Sequence, residues 1–289
     1  MTDSFPDIDS LWDYSDPAAS EERFRAILPA ARESGDDGYL AELLTQVART
    51  YSLRGRFEEC HRTLDEAAPL SSGSPRARIR LLLERGRAYN SAGDPAMASG
   101  YFRRAWDLAT EQGEQYHAAD AAHMLGISEP SDRQLEWDLR ALDLAESTDE
   151  ERTRSWLGPL YNNIGWTYHD LGQYEAALDY FARSLAFRRS QSQPRETRIA
   201  AWTVARALRS LGINEEALAL QQENLRTAEE AGDPDGYIQE EIGECLLNLG
   251  RARDAAPHFA RAHALLSQDQ WLAEHEPERL ARLKKLSVP

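Results

Sequence analysis

One pattern recurs along this chain at a nearly fixed interval, and it limits the possible folds more than any other feature. The clearest copy runs from Tyr161 to Phe181, with Ile164, Gly165, Tyr168, Gly172, Ala177 and Phe181 as its markers. From Leu82 the markers are Gly86, Tyr89, Gly93, Ala98, Phe102 and Ala105. From Leu44 they are Val47, Ala48, Tyr51, Gly55, Phe57, Cys60, Leu64 and Ala67. Ala201 opens a copy with Val204, Ala205, Leu208, Gly212 and Ala217. The last copy has Ile242, Gly243, Leu246, Gly250, Ala255, Phe259 and Ala262. A weaker one contains Ala118, Ala121, Ala122 and Leu125, and Ser128-Glu-Pro-Ser stands where the others have a glycine turn. The small residues Ala48, Gly86, Ala122, Gly165, Ala205 and Gly243 are spaced 38, 36, 43, 40 and 38 apart. Six units of this length cover most of the chain.

Each half of a unit has helical periodicity. Tyr161, Ile164, Gly165 and Tyr168 fall at i, i+3, i+4 and i+7 on one helix face. Gly172 ends that helix, and Ala177, Phe181 and Ser184 resume the pattern after a short turn. Small residues let the two helices approach, and the aromatic fills the space beside them. One helix pair cannot bury its apolar face alone, so neighbours must stack. The expectation is an all-α, right-handed α-solenoid of antiparallel helix pairs.

The string resembles the tetratricopeptide repeat over about residues 40–268, with six copies and an N-terminal half repeat. The half repeat is Asp16 to Gly35, which aligns with Asp94 to Gly113; both open with Asp then Pro, an N-cap and first-turn pairing, and Phe24 matches Phe102. The units exceed the ~34 residues of a typical copy, and the third is degenerate. The organisation expected is an acidic segment at 1–15, the solenoid at 16–268, and a closing amphipathic helix at 269–289 that covers the last core face. Leu11 to Tyr14 reads as a truncated first helix or a docking strap. Glu151–Arg154 and Ser190–Pro194 are the most linker-like stretches.

Charge narrows the function classes. Lys and Arg number 33 against 49 Asp and Glu, a formal −16. Such a surface repels polyanions, so neither nucleic acid nor an acidic membrane is an expected partner. No apolar run approaches the ~20 residues of a membrane span. The acidic N-terminus has no apolar stretch of the signal-peptide kind, and Cys60 and Cys245 are the only cysteines, so a cytoplasmic setting is expected.

Catalytic patterns are missing from the sequence: there is no Gly-rich phosphate loop, no paired CxxC, no HExxH and no GxSxG. His258 and His263 are five apart, a poor spacing for a shared metal. Cys60 and Cys245 occupy packing positions and read as inert. The expectation is a protein that is not an enzyme and uses no metal or cofactor.

In the resembled family the first helix of each pair lines the concave groove where ligand peptides lie. The residue after each small marker is then Arg49, Arg87, His123, Trp166, Arg206 and Glu244. Three positions before the marker come Asn162 and Trp202, and four after it come His169 and Arg209. Arginine beside tryptophan suits a carboxylate with an apolar neighbour. Asn162 and Asn163 add amides for an extended backbone, similar to the peptide-gripping repeats of the kinesin-light-chain type. The Lys and Asn set of a chaperone carboxylate clamp is not reproduced, so a chaperone tail is not the expected ligand. The candidate groove is Arg49, Arg87, His123, Asn162, Asn163, Trp166, His169, Trp202, Arg206 and Arg209, and it would take an acidic or carboxylate-bearing peptide or protein. The competing role for these arginines is structural, in ion pairs with acids of neighbouring helices. A second function class is a sensor for a small signalling peptide or anionic metabolite, acting through a separate effector.

Overall fold

The computed structural model describes residues 5–288, and it is built of helices with no strand among them. Two compact units are present, Met1–Trp156 and Leu157–Pro289. In the first, α1 (Pro17–Ser34) leads into the pairs α2 (Asp37–Ser52) with α3 (Phe57–Leu70), α4 (Pro75–Ser91) with α5 (Pro95–Gln112), and α6 (Gln115–Ser128) with α7 (Ser131–Glu146). A short α8 (Glu151–Arg154) follows. The second contains α9 (Leu157–Asp170) with α10 (Tyr174–Ser190), α11 (Pro194–Ser210) with α12 (Asn214–Glu230), and α13 (Gly236–Asn248) with α14 (Ala252–Leu266). The closing segment is two helices, α15 (Gln270–His275) and α16 (Pro277–Leu286), and α16 packs on α14. Pro277 has no amide hydrogen to continue α15, so the helix restarts there.

Local chemistry sets these boundaries. Asp16 and Asp94 cap α1 and α5 as their Asp-Pro pairs predict, accepting from the Ala19 and Met97 amides at 2.9 and 3.0 Å. Gly55, Gly93, Gly172, Gly212 and Gly250, each seven residues after a small marker, have φ between 70° and 87°. Only glycine enters that left-handed region without strain, so each ends a first helix and starts the turn to its partner. Seven residues after Ala122 the chain has Glu129, which is extended, and Pro130 then leads into α7.

Inside each pair the packing follows a size rule. Sixteen residues after Gly86, Gly165 and Gly243 come Phe102, Phe181 and Phe259, all buried. A Cβ on those glycines would come within 2.5, 2.5 and 2.8 Å of the phenyl ring. Where the marker is alanine, at 48, 122 and 205, the residue sixteen on is Leu64, Asp138 or Gln221. A large ring requires a bare backbone opposite it, and a methyl is tolerated where the partner is smaller.

The described part of the N-terminal segment, residues 5–15, contains one 3-10 turn, Ile8–Leu11, then an extended Trp12 and a turn at residues 14–15. Ile8 is buried, Phe5 stacks on Tyr39 at 4.5 Å and Trp12 meets Phe24 edge-on at 5.1 Å. The Trp12 indole N–H donates to Gln46 Oε1 at 2.9 Å. Residues 1–4, with part of the acidic segment, lie outside the described residues.

Candidate functional site

The two units each place arginines of their first helices in a cavity of their own. In the first unit a cavity of about 230 Å³ is lined by residues of α2, α4, α6 and α8 together with Asp9 and Tyr14. Its walls are an ion ladder between successive first helices. Arg49 Nε lies 3.7 Å from Glu84, and Arg87 bonds Glu84 at 2.7 Å and Asp120 on the other side. Arg80 pairs with Glu42 at 3.1 Å, and its two Nη atoms hold the Asp9 carboxylate at 3.0 and 2.6 Å. Arg152, from α8, also bonds Asp9 and lies over the Tyr116 ring at 3.8 Å.

The electrostatics follow from burial set against pairing. Burial pushes the Asp120 carboxyl up, but the charge and hydrogen bond of Arg87 more than reverse this and hold it below the usual aspartate range. Asp9 is lowered in the same way, its burial outweighed by Arg80 and Arg152. Burial lowers His123, which is half-buried with its ring 4.9 Å from Trp156.

In the second unit the aromatic and cationic residues converge. Trp166 touches Trp202 at 5.9 Å, Phe181 at 5.3 Å and His169 at 5.2 Å. The Trp202 indole donates to the Tyr237 carbonyl at 3.1 Å, with the two rings 6.3 Å apart. His169 Nε2 meets Ser210 Oγ at 2.9 Å, and burial lowers its pKa. Asn162 and Asn163 are half-buried on α9. Arg206 and Arg209 share one acid, the buried Glu241 of α13; Arg206 approaches it at 3.3 Å, and Arg209 makes two bonds to it. Arg206 Nε has no hydrogen-bond partner among the described residues. A cavity of about 390 Å³ lies here, lined by Trp202, Arg206, Arg209, Glu240, Glu244, Arg279 and Arg282. Trp202 also lines a larger, more apolar cavity of about 660 Å³ with Ile199, Tyr237 and Leu265.

The candidate residues therefore fall into two groups. Arg49 and Arg87 share the first cavity, with His123 behind it against Trp156; the other seven lie in the second unit. Sequence reasoning missed Asp9, Arg80 and Arg152 in the first, and Arg279 and Arg282 in the second. Arg80 could have been found, since it is seven residues before Arg87 and so on the same face of α4. Asp9 and Arg152 had no such signal, because neither belongs to a regular helix pair.

Both cysteines are buried, and burial pushes each thiol up to about 12, far from a reactive thiolate. Among the described residues no cluster of His, Cys, Asp or Glu is arranged to hold a metal ion, and no helix is long and apolar enough to cross a membrane.

Stacked antiparallel helix pairs, with inter-helix packing repeated at one register, define an α-solenoid built from repeats. Residues 135–190 match the tetratricopeptide repeat family model, and the helix pairs on either side of that match repeat the same packing register. Solved structures of the same fold include a signal-transduction ATPase with numerous domains from Pyrococcus horikoshii that carries a tetratricopeptide-repeat sensor. It is 13% identical with a TM-score of 0.73, over 92% of this chain and 41% of that one, so this chain spans about two fifths of that protein. Aspartyl phosphate phosphatase F of Bacillus subtilis is 14% identical with a TM-score of 0.65, over 96% of this chain and 76% of that one. NprR in complex with its cognate peptide NprX is 17% identical with a TM-score of 0.54, over 96% and 81%. At these identities the likeness is one of fold. No curated protein sequence matches the chain.

Proposed function

We propose that this chain is a non-catalytic tetratricopeptide-repeat scaffold that binds a peptide or protein segment carrying carboxylates, with the second unit as its main contact surface. One observation carries this reading: Arg206 and Arg209 share the single carboxylate of Glu241, and the Arg206 side chain stays 36% exposed at the cavity it shares with Trp202. A ligand carboxylate would bond the exposed part of the Arg206 guanidinium through charge-assisted hydrogen bonds. Trp202, with Trp166 behind it and Tyr237 beside it, offers an apolar face for the ligand's neighbouring side chain. NprR, which has this fold, is seen with a peptide bound, and that supports a peptide as the ligand class. Most of the stripe arginines are also ion-paired within the protein, so their structural role and their ligand role coexist.

The test is binding of labelled acidic peptides to the full chain, with Arg206→Glu and Trp202→Ala as variants. Each should weaken binding at least tenfold, and raising salt from 50 to 300 mM should weaken binding to the unaltered chain. Unchanged affinity in both variants removes the second unit from the account.

A sensor role is the second reading, supported by the fold shared with the tetratricopeptide-repeat sensor of the Pyrococcus ATPase. It requires the radius of gyration of the chain to change on ligand addition; an unchanged value rejects it.

A further inference from the structure

In the first unit the N-terminal segment stands where a first helix would, but it does something a first helix does not. Ile8 lies sixteen residues before Phe24, the spacing that separates Gly86 from Phe102. Asp9 therefore occupies the register position of Arg49 and Arg87, and it brings the opposite charge. Its carboxylate is gripped by both Nη atoms of Arg80 and by Arg152. Arg80 is only 6% exposed, and it comes from α4, two pairs along from the segment.

The helices do not balance this site by themselves. Arg49, Arg80, Arg87 and Arg152 face Glu42, Glu84 and Asp120, one acid fewer, and Asp9 supplies the fourth. A guanidinium buried this deeply requires a counter-charge, so the site calls for a carboxylate whatever chain provides it. The residues that now provide it carry little regular structure. Their regular structure is one four-residue 3-10 turn; Ile8 is buried, Phe5, Leu11 and Trp12 pack partly buried against the same core, and Tyr14 is 68% exposed. Arg152 sits on a helix of four residues. Segments anchored by a few side chains, with little backbone hydrogen bonding, open at less than the free energy of global unfolding.

We propose that Arg80 and Arg152 form a carboxylate site for an acidic segment of a partner protein, and that residues 7–12 are the built-in occupant which that segment displaces. The partner segment carries an acid followed three residues later by an aromatic, as Asp9 and Trp12 do, so that the ring reaches Gln46 and Phe24 while the carboxylate reaches Arg80. This site lies in the first unit and is separate from the Arg206 site proposed above.

The experiment uses a fluorescein-labelled peptide with the sequence of residues 5–16, titrated into the full chain. Asp9→Asn should bind it at least tenfold more tightly than the unaltered chain. Combining Asp9→Asn with Arg80→Ala should abolish that gain, and a peptide carrying Asn in place of its Asp9 should not bind. Equal binding to the unaltered chain and to Asp9→Asn overturns the proposal, as does binding to neither, or binding that Arg206→Glu removes. Hydrogen exchange supplies a second readout. In Asp9→Asn the Ser10, Trp12 and Asp13 amides should exchange at least tenfold faster while α5 is unchanged. Unchanged exchange at these amides overturns the proposal. Acceleration that extends through α5 also overturns it, because Asp9 would then be part of the fold's end cap and not a displaceable occupant.

Discussion

Gly165 and Phe181 meet so closely that neither can change size alone. A methyl on Gly165 would lie 2.5 Å from the ring, so Gly165→Ala should destabilise the protein by about 1–3 kcal/mol through overpacking. Ala48 is followed sixteen residues on by Leu64, which is the natural form of the compensated pair. Gly165→Ala with Phe181→Leu should therefore cost at least ~1 kcal/mol less than the sum of the single changes, as read by urea unfolding. Asp138 stands at the same register with a different consequence. It is 2% exposed, its Oδ1 has no partner among the described residues, and burial pushes its carboxyl up to about 7. The folded protein keeps a proton up to about pH 7 that the unfolded chain releases near pH 4. Stability therefore falls as pH rises through that window and stays lowered above it. Asp138→Asn should be more stable than the unaltered protein at pH 8 by about 2 kcal/mol, with the gain disappearing toward pH 4. A gain that does not depend on pH would place its origin in packing.

Between elements, the ion ladder does what apolar contacts do inside each pair. First helices face their neighbours through arginine–acid pairs: α4 with α2 and α6, and α13 with α11 and α16. Glu241 is the critical member in the second unit, because two arginines depend on it and it is almost wholly buried. Glu241→Gln should cost about 3 kcal/mol, since it leaves two guanidinium groups without their counter-charge. Denaturant unfolding of the full chain checks this, and a change below 0.5 kcal/mol, the scale of an exposed pair, would mean the charges are well hydrated. The same substitution should strengthen binding of an acidic peptide at Arg206, because the internal competitor is neutralised. Stability and affinity are then expected to move in opposite directions at this residue.

Over the whole molecule the formal charge of −16 coexists with local sites of the opposite character. Arginines cluster on the first-helix faces in both units, where acids of the next helix nearly balance them, and the remaining acids are spread over exposed surfaces. The long-range field still disfavours a polyanion approaching the protein. A single carboxylate at Arg206 or Arg80 is governed instead by contact geometry, because screening shortens the reach of that field to about 10 Å.

Helix pairs, their period, the turn glycines and the Asp-Pro caps were legible in the residues, because each depends on contacts a few positions apart and on backbone preferences that a side chain carries with it. The candidate stripe was legible as a register, and Arg49, Arg87, Trp202, Arg206 and Arg209 of it line cavities. Their pairing was not legible. Whether Arg206 meets Glu241, or Arg80 meets Asp9 seventy-one residues away, depends on how neighbouring helices are set against each other. The sequence by itself determined a solenoid of repeated helix pairs with arginine and tryptophan recurring at one register. Only the tertiary structure decided which of those charges are neutralised inside the protein, since side chains distant in sequence compete for the same carboxylates once the helices have packed.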